Sequence, residues 1–446
     1  MKNNVSSLPE KIQTSFVDQI MYCSQGSLDQ AIRIVISFAD MLDENLLKEA
    51  FELSFNADPI LNYLYLETNR KSYWVRNDSV NIDDIFKLEL IDGNLEEAIH
   101  SFLVEKIDIL SSPPVRIGIL RHKELDTLIV KIHHSVADAA GLINYVRLLG
   151  SIYSGLKTDI NYSIPPAELK GRDLDWKNIT GSYKFFKKFK LIFDPETSKI
   201  IKKLRFIDYV FPWSNHEKDT LNIVSHKIKT GNTKKVISKC RAQKCTMDDI
   251  ILTAYFMAFF KIIKKENLID KFIYITLDMR NYSTKRKIEN LTNLSFAEVV
   301  RLSDDDLSDF GQTLKKIIAE KQKYKLGFNN IDNKKIPAIS SILMVSTLSK
   351  LLPYKKYKKA ITDGKNLEVI PILSNVGILD SYDISFPDVP IQDMYIVGTI
   401  SKKPGLTLAV SGYQRSLNLI VGYQGSKKDI SVIKNLLEQI EKEMVE

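Results

Sequence analysis

The order of apolar and polar positions in the first part of the chain predicts a strand, a helix and two further strands. The run QAIRIVISFAD (30–40) is rich in β-branched residues, which favours a strand. DENLLKEAFELSF (43–55) follows with apolar residues at helical spacing, and Asp43 is placed to cap its N-terminus. PILNYLYLE (59–67) and KSYWVRN (71–77) are short strand-like runs separated by a polar turn. This mixture of periods indicates an α/β chain.

The same alternation continues to about residue 155. PVRIGILRH (114–122) and ELDTLIVKIHHS (124–135) are apolar runs joined by a charged turn, a pattern typical of paired strands. DAAGLINYVRLLGSIYSG (138–155) has helical spacing, and Gly155 is a candidate for its end. The predicted strand and helix therefore flank two adjacent histidines.

The pattern weakens from about residue 157 to 220, where SIPPAELKGRDLDWK and FDPETSKIIKKLRF carry prolines, charges and only short helical signals. Strand and helix signals then return. The predicted strands are LNIVSHKI (221–228), FIYITLDMRNY (272–282), LEVIPILSNVGIL (367–379), MYIVGTIS (394–401), LTLAVSGYQ (406–414) and LNLIVGYQ (417–424). The predicted helices are TMDDIILTAYFMAFFKIIKKE (246–266, capped near Thr246), DDDLSDFGQTLKKIIAEKQKYK (304–325), ISSILMVSTLSKLLPY (339–354) and DISVIKNLLEQIEKE (429–443).

These signals predict two α/β halves of similar size. We place an N-terminal lobe at 1–165, a crossover linker at 166–220 and a C-terminal lobe at 221–446. The length of 446 residues supports this division, because a single core rarely exceeds roughly 250–300 residues. With 44% hydrophobic and 26% charged residues, the composition is that of a globular protein and excludes a disordered one.

The formal charge of +8 is spread over the chain, with small clusters in KFFKKFK, IKKLR and YKKYKK that we interpret as solvated helix faces or loops. No RNA-binding or zinc-finger signature accompanies them, so no nucleic-acid partner is predicted. Three cysteines, Cys23, Cys240 and Cys245, are interpreted as packing residues in a reducing cytoplasm. The sequence shows no signal peptide and no apolar run of about 18 residues, and we predict a cytoplasmic protein without a membrane span.

Two adjacent histidines, His133 and His134, end an apolar run, and Asp138 follows the second by four residues. Successive strand side chains point to opposite faces, so one imidazole is expected to be structural while the other faces a cavity. The remaining histidines are not in ligand-like spacing, and we predict no metal site. No G-x-S-x-G elbow is present to indicate a nucleophilic serine. Two interpretations remain, a pair of satisfied histidines or a general base.

HHSVADAAG (133–141) resembles the HHxxxDG motif of the chloramphenicol acetyltransferase-like superfamily. This superfamily includes condensation domains of nonribosomal peptide synthetases, plant BAHD acyltransferases, polyketide-associated acyltransferases, wax ester synthases and alcohol O-acetyltransferases. Further segments agree: the opening strand and helix with PILNYLYLE, the arginine of TLDMRNY (276–282), and PILSNVGIL (371–379). The resemblance spans most of the chain. It implies two similar chloramphenicol acetyltransferase-like lobes in a pseudo-dimer, with an active-site tunnel between them.

The sequence departs from the family pattern at Ala139, where the family usually has glycine, although Gly141 follows two residues later. Alanine is a good helix former, so we expect the loop to be preserved if its backbone needs no positive φ. The chain also lacks the DFGWG motif of the plant enzymes and shows no tandem synthetase domains. These features favour a free-standing member nearer the alcohol acetyltransferase or polyketide-associated branch.

The resemblance assigns roles to the residues of the motif. It makes His134 the general base, which deprotonates the acceptor as it attacks a thioester carbonyl. It pairs Asp138 with an arginine, for which Arg280 in TLDMRNY is the candidate, in a structural ion pair. His133 is expected to fix the loop or to bond to the backbone. An ordinary exposed arginine at the end of a strand is the alternative for Arg280.

The resemblance also suggests residues around the reacting carbonyl. Ser374 and Asn375 are expected to line the tunnel and donate hydrogen bonds to the oxyanion, with polar turn residues at a strand end as the alternative. Gly377 would permit close backbone approach, and Gly141 would support the loop after the histidines.

We therefore predict a monomeric acyltransferase with no bound cofactor. Its co-substrate would be acyl-coenzyme A or an acyl group on the phosphopantetheine arm of an acyl or peptidyl carrier protein, and its acceptor an alcohol or an amine. Two alternatives remain open. One is a non-catalytic, condensation-like module that binds a carrier protein or a lipid, which only Ala139 favours. The other is a stand-alone condensation enzyme that forms an amide between carrier-bound groups.

Overall fold

The computed structural model describes residues 8–26, 28–159, 161–167, 172–180, 211–214, 220–263, 270–282, 291–307, 309–329, 345–362 and 370–446. Several predicted features lie outside the described residues: the segment FDPETSKIIKKLRF, the basic clusters KFFKKFK and IKKLR, residues 339–344 of a predicted helix and residues 367–369 of a predicted strand.

The first half of the chain alternates strands and helices. Its strands are β1 (Lys11–Gln13), β2 (Leu28–Asp29), β3 (Ala31–Phe38), β4 (Tyr63–Glu67), β5 (Ser72–Arg76), β6 (Phe86–Leu90), β7 (Val115–His122) and β8 (Leu125–His133). Its helices are α1 (Phe16–Cys23), α2 (Glu44–Ala57), α3 (Leu95–Val104), α4 (Ala139–Thr158) and α5 (Leu174–Thr180). Asp43 caps α2 as predicted, because its side chain accepts from the Leu46 N–H at 3.0 Å.

The second half repeats this mixture. Its strands are β9 (Thr220–Ile228), β10 (Asp270–Asp278), β11 (Ser295–Ser303), β12 (Ile372–Ile378), β13 (Ile391–Val397), β14 (Ile400–Lys402), β15 (Thr407–Tyr413) and β16 (Ser416–Gly425). Its helices are α6 (Thr230–Gln243), α7 (Met247–Ile263), α8 (Phe310–Asn329), α9 (Tyr354–Thr362) and α10 (Asp429–Val445). A short 3₁₀ turn, Met279–Tyr282, follows β10.

Two large sheets organise the lobes, and each receives a strand from the other half of the chain. The first has the order β13-β3-β8-β7-β6, so β13 from the second half pairs antiparallel with β3. The second has the order β11-β10-β12-β15-β16-β14-β2, with β9 on β16, so β2 from the first half pairs with β14. A small sheet, β1-β5-β4, completes the first lobe. The exchanged strands tie the two lobes together through backbone hydrogen bonds.

The five-stranded sheet is covered on both faces. Ile34 and Ile36 of β3 are fully buried on the face where α2 and α4 pack. On the opposite face, Val35 of β3 shares a cluster with Ile420 of β16 in the second lobe. Each fully buried aliphatic side chain contributes roughly 1.5–3 kcal/mol, so both faces stabilise the arrangement of the lobes. Helix α7 is buried on nearly all sides in the second lobe, which explains its almost uniformly apolar sequence.

Some predicted element ends were wrong or missing. Helix α4 does not end at Gly155 but continues to Thr158. A Cβ on Gly155 would lie 2.4 Å from the Tyr162 ring, so this glycine allows close packing instead of ending the helix. The run MYIVGTIS is divided at Gly398, where the chain passes from one sheet to the other. The sequence patterns predicted no counterpart for α1, α3, α6, β1, β2, β6 or β11.

Candidate active site

The histidine pair lies where β8 ends at the meeting of several chain segments. His133 is the last residue of β8 and pairs with Ala31 of β3. The His134 N–H donates to the Gln30 carbonyl at 2.6 Å, and the Val136 N–H donates back to the His133 carbonyl at 3.0 Å. These bonds turn the chain sharply between the strand and α4. The strand and helix predicted around the histidines are confirmed.

The ring of His134 is only partly buried, and one of its two nitrogens has a fixed partner. Nδ1 lies 2.7 Å from the Ala137 carbonyl oxygen. A carbonyl only accepts, so Nδ1 carries the proton and Nε2 keeps its lone pair. No side chain or backbone group of the described ranges bonds to Nε2. Burial lowers the pKa of His134, with a partial offset from the Ala137 carbonyl and the Asp138 carboxylate, so the ring is neutral at pH 7.

His133 has a different environment from its neighbour. Its side chain is buried, and Nδ1 accepts from the Ser135 N–H at 3.2 Å. Burial lowers its pKa to about 3, which keeps the ring neutral throughout the physiological range. The structure thus places His133 as a partner of the turn backbone.

Asp138 is buried and fully engaged. Its Oδ2 accepts from Arg280 Nη1 at 2.7 Å and from the Leu294 N–H at 2.6 Å. Its Oδ1 accepts from the Gly141 N–H at 2.8 Å and so caps α4. Burial alone raises the pKa of this carboxyl, but the Arg280 charge and these hydrogen bonds hold it below its ordinary value. Asp138 is therefore an anion that joins the loop to the second lobe.

Arg280 lies in the turn after β10 and meets Asp138 as the resemblance implied. Burial works against its charge, but Asp138 and Asp278 raise its pKa above the ordinary value. Nη1 also contacts Asp278 Oδ1 at 3.1 Å, and Nη2 donates to the Thr292 carbonyl at 2.9 Å. The alternative of an ordinary exposed arginine is wrong.

The departure at Ala139 does not distort the loop. Ala139 is the first residue of α4, so its backbone is helical and has no positive φ. Gly141 is the tighter position, because a Cβ there would lie 3.2 Å from the Thr292 carbonyl oxygen and would push these segments apart. The close approach of these segments thus depends on residue 141.

Ser374 and Asn375 face opposite sides of β12, as consecutive strand residues do. Asn375 Nδ2 donates to Asp248 Oδ1 at 3.0 Å, and Asn375 Oδ1 accepts from the Gly377 N–H at 3.1 Å. Asp248 belongs to α7 on the helix side of the sheet, so the Asn375 amide is engaged on that side. The prediction that Asn375 donates to an oxyanion in the tunnel stays a prediction. Gly377 has φ +87°, a conformation that favours glycine.

Ser374 points away from that helix layer. Its hydroxyl is partly buried and lies 3.3 Å from Thr276 Oγ1 on the neighbouring strand β10, which leads into Arg280. Val376, the residue bulged out between Asn375 and Gly377, packs against the first lobe. Ser374 accepts in this contact, so its hydroxyl hydrogen is left to donate on the face of β12 opposite the Asp248 contact.

Three residues around the loop were missed: Asp18, Arg172 and Asn293. Arg172 is buried and donates to Asp18 Oδ1 at 2.9 Å and to the Ser135 carbonyl at 3.0 Å. Asn293 Nδ2 donates to the His134 carbonyl at 2.8 Å. Arg172 lies in the segment interpreted as linker, and Asn293 is 159 positions from His134 in the chain. The capping pattern from Ser15 to Asp18 was the only local signal, and it indicates a helix start, not a site.

Two negative findings apply to the described part of the chain. It contains no cluster of three or more His, Cys, Asp or Glu side chains arranged to hold a metal ion. None of its helices has the length and apolarity needed to cross a bilayer.

No family model and no curated protein matches the sequence, but the fold matches solved structures along nearly the whole chain. Polyketide synthase associated protein 5 from Mycobacterium tuberculosis gives a TM-score of 0.69 at 13% identity, over 97% of both chains. Trichothecene 15-O-acetyltransferase from Fusarium sporotrichioides gives 0.74 at 11% identity, over 98% of this chain and 94% of that one. The first condensation domain of the calcium-dependent antibiotic synthetase gives 0.71 at 10%, over 98% and 96%. This chain has the condensation-domain fold.

The condensation-domain fold confirms the α/β class and the two-lobed architecture that HHSVADAAG implied. Other matches with this fold carry the names of an epimerization domain and of an X-domain from teicoplanin biosynthesis. Proteins of different names thus share the condensation-domain fold, so the activity of this chain has to be argued from its own residues.

Proposed function

We propose that the protein transfers an acyl group from a thioester to a hydroxyl or amine acceptor, with His134 as the general base. One observation carries the proposal: Nδ1 of His134 is committed to the Ala137 carbonyl, so the unbonded Nε2 holds the lone pair. A neutral imidazole of this kind accepts a proton at pH 7. The acetyltransferase and condensation domains among the structural neighbours support the same class of reaction.

The reaction we propose has two steps. The acceptor oxygen or nitrogen attacks the thioester carbonyl carbon, and Nε2 of His134 takes the acceptor proton as the new bond forms. The tetrahedral intermediate then expels the thiolate as the C–S bond breaks, and Nε2 returns the proton to the sulfur. The products are an ester or an amide and a free thiol, and His134 is neutral again.

Two neighbours would assist these steps. The Asp138 carboxylate, fixed by Arg280, favours the imidazolium that forms when Nε2 takes the proton. The Ser374 hydroxyl is the donor we assign to the oxyanion of the intermediate. Asn375 has no part in this proposal, because its amide donates to Asp248.

The donor we propose is acyl-coenzyme A or an acyl-phosphopantetheine thioester on a carrier protein. The net charge of +8 is compatible with both, since coenzyme A and carrier proteins are acidic. The acceptor is a small alcohol or amine that reaches Nε2 of His134 through a tunnel between the lobes.

The proposal is tested by offering the purified protein a mixture of acyl thioesters, free and carrier-bound, with a panel of alcohols and amines. Mass spectrometry should detect an ester or amide and an equal amount of free thiol. His134→Ala should lower this rate by at least about a hundredfold. His122→Ala is the matched control, because the His122 ring contacts the Ile91 carbonyl at the far end of β7.

The identity of the product distinguishes an alcohol acyltransferase from a condensation enzyme. An ester from a free thioester indicates an alcohol acyltransferase, whereas an amide formed only between carrier-bound groups indicates a condensation enzyme. Binding of a carrier protein without any product would contradict the proposal and favour a non-catalytic module.

A further inference from the structure

The buried guanidinium of Arg172 lies where three segments of the chain meet. Its Nε and Nη2 donate to the two carboxylate oxygens of Asp18 at 3.0 and 2.9 Å. Its Nη1 donates to the Leu291 carbonyl at 2.8 Å. Nη2 also donates to the Ser135 carbonyl at 3.0 Å and, at 3.5 Å, to the Val136 carbonyl. One side chain therefore joins α1, the turn after β8 and the second half of the chain.

The carboxylate of Asp18 fixes the plane of this guanidinium. Asp18 is buried and accepts from the Ser15 N–H at 3.0 Å, the Ser15 hydroxyl at 2.7 Å and Trp74 Nε1 at 2.9 Å. Two parallel bonds from Arg172 to an anchored carboxylate form a bidentate pair, which is strongly directional. One hydrogen of Nη2 is committed to Asp18, so the other points at the turn.

The turn that Arg172 contacts carries the partner of the His134 ring. The Ala137 carbonyl lies 2.7 Å from His134 Nδ1, and the two carbonyls before it, those of Ser135 and Val136, accept from Arg172. These residues are buried, and a buried carbonyl without a donor costs about 1–3 kcal/mol. Because the Val136 and Ala137 carbonyls belong to successive peptide units, a shift of the first also reorients the second. The position of the ring therefore depends on Arg172.

We propose that Arg172 is a positioning residue for His134, which fixes the turn from Ser135 to Ala137 so that Nε2 of the ring meets the incoming acceptor. Arg172 acts through the backbone of the turn and has no contact with the reacting groups. The inference rests on the proposed function for its catalytic meaning. The position of the ring is a property of the resting protein and can be observed without turnover.

Arg172→Lys separates the ion pair from the contact with the turn. A lysine ammonium keeps the positive charge beside Asp18 but lacks the planar fork, so it cannot hold the carboxylate and the Ser135 carbonyl in one fixed geometry. The variant should fold, because Asp18 keeps a charge partner. Its kcat for acyl transfer should fall at least about tenfold with little change in KM, since a misplaced base weakens the transition state and leaves substrate binding intact.

Arg121→Lys is the matched control, because Arg121 makes the same kinds of bonds elsewhere in the first lobe. Its Nε and Nη2 donate to the two oxygens of the buried Asp126 at 2.9 and 3.0 Å, and Nη2 also donates to the Leu42 carbonyl at 3.1 Å. Asp126 and His133 are near opposite ends of β8, roughly 20 Å apart at the usual rise of a strand. This variant should lose a similar amount of unfolding free energy and keep kcat within about twofold.

The experiment combines urea unfolding and steady-state kinetics with ¹⁵N NMR of protein labelled only in its six histidines, recorded from pH 4 to 8. In Arg172→Lys the His134 ring signals should move. The midpoint of their titration should fall, because the Ala137 carbonyl raises the pKa of His134 and a loosened turn weakens that contact. The lysine retains the charge, so loss of a cation does not account for the shift. Arg121→Lys should leave the His134 signals unchanged.

A second variant protects the test from misfolding. Asp18→Asn combined with Arg172→Gln removes both charges together, so no buried charge is left without a partner. The glutamine amide does not reproduce the fork between residue 18 and the Ser135 carbonyl. The double variant should therefore show the same loss of kcat and the same movement of the His134 signals as Arg172→Lys.

The outcomes separate the two proposals. Unchanged His134 signals and kcat in the Arg172 variants would overturn the positioning role, even if acyl transfer requires His134. An equal fall of kcat in Arg172→Lys and Arg121→Lys would also overturn it, because the loss would then follow stability alone. Movement of the His134 signals only in the Arg172 variants, in a protein whose His134→Ala variant retains full acyl transfer, would support the positioning of the ring and contradict the proposed function.

Discussion

Two strand ends can be compared, one in each lobe, and each carries a pair of adjacent polar residues. At the end of β8, His133 bonds to its own turn while His134 leaves Nε2 unbonded. On β12, Asn375 bonds to Asp248 on the helix side while Ser374 faces the other way. In both pairs one member fixes the backbone and the other is available for chemistry. Two consecutive polar residues on a strand should therefore be assigned separate roles, because their side chains lie on opposite faces.

The two ends differ in what holds them. The Asn375 contacts come from Asp248 and Gly377, in the same lobe. The loop after β8 is held by Arg280 and Leu294 from the second half of the chain. The histidine loop therefore depends on the assembly of both lobes, whereas the β12 end depends on one.

The largest effect should follow from breaking the contact between the halves. Arg280→Ala leaves the buried Asp138 carboxylate without its charge partner, which typically costs about 3–5 kcal/mol. Urea unfolding should show a loss of this size. Arg301→Ala removes an exposed ion pair on the same sheet and should cost less than about 1 kcal/mol. Equal losses of unfolding free energy in the two variants would show that the buried pair of Asp138 and Arg280 contributes no more than an exposed ion pair.

The second effect concerns the buried member of the histidine pair. The pKa of His133 is about 3 in the folded protein and near 6.5 when unfolded, so between these values only the unfolded chain binds the proton. Stability from this group is complete above pH 6.5 and falls by about 1.4 kcal/mol per pH unit below it. Between pH 6.5 and 5 the unmodified protein should thus lose about 2 kcal/mol more than His133→Asn. If the unfolding free energies of the unmodified protein and His133→Asn changed equally with pH, His133 would not be a buried neutral group.

The smallest effect should separate the members of the β12 pair. Ser374→Ala removes the proposed oxyanion donor and should lower kcat for acyl transfer about tenfold or more, with stability nearly unchanged. Asn375→Ala removes the hydrogen bond to Asp248 and should cost about 1 kcal/mol of unfolding free energy, with kcat within about twofold. The reverse pattern would show that the two roles are exchanged.

Local patterns were enough to predict the strand β8, the helix α4 and the fold class, because these elements have clear apolar periods. Helix α6 was missed since only Thr233 and Val236 of its 14 residues are buried, which leaves too narrow an apolar stripe. Gly155 does not end α4, because its lack of a side chain makes room for the Tyr162 ring on the helix. From the sequence alone, a glycine that allows close packing cannot be distinguished from a glycine that ends a helix.

The sequence predicted site residues only where they lie in segments that resemble the family motifs. His134, Asp138 and Arg280 were found through the resemblance, although the ion pair joins positions 142 apart. Arg172 and Asn293 act on the same loop, but their roles follow from contacts between distant segments that no local period records. The contact of Asn375 with Asp248 could not be predicted, since Asp248 lies 127 positions away in the chain.

The central claim is that Nε2 of His134 accepts the proton of the acceptor. It is tested most directly by measuring kcat/KM for acyl transfer from pH 4.5 to 8, beside the NMR titration of the His134 ring. Burial lowers the pKa of His134, so the rate should stay level from pH 8 to 6.5 and fall tenfold per unit below the midpoint of that titration. A rate that remains level while the ring becomes protonated would contradict the claim.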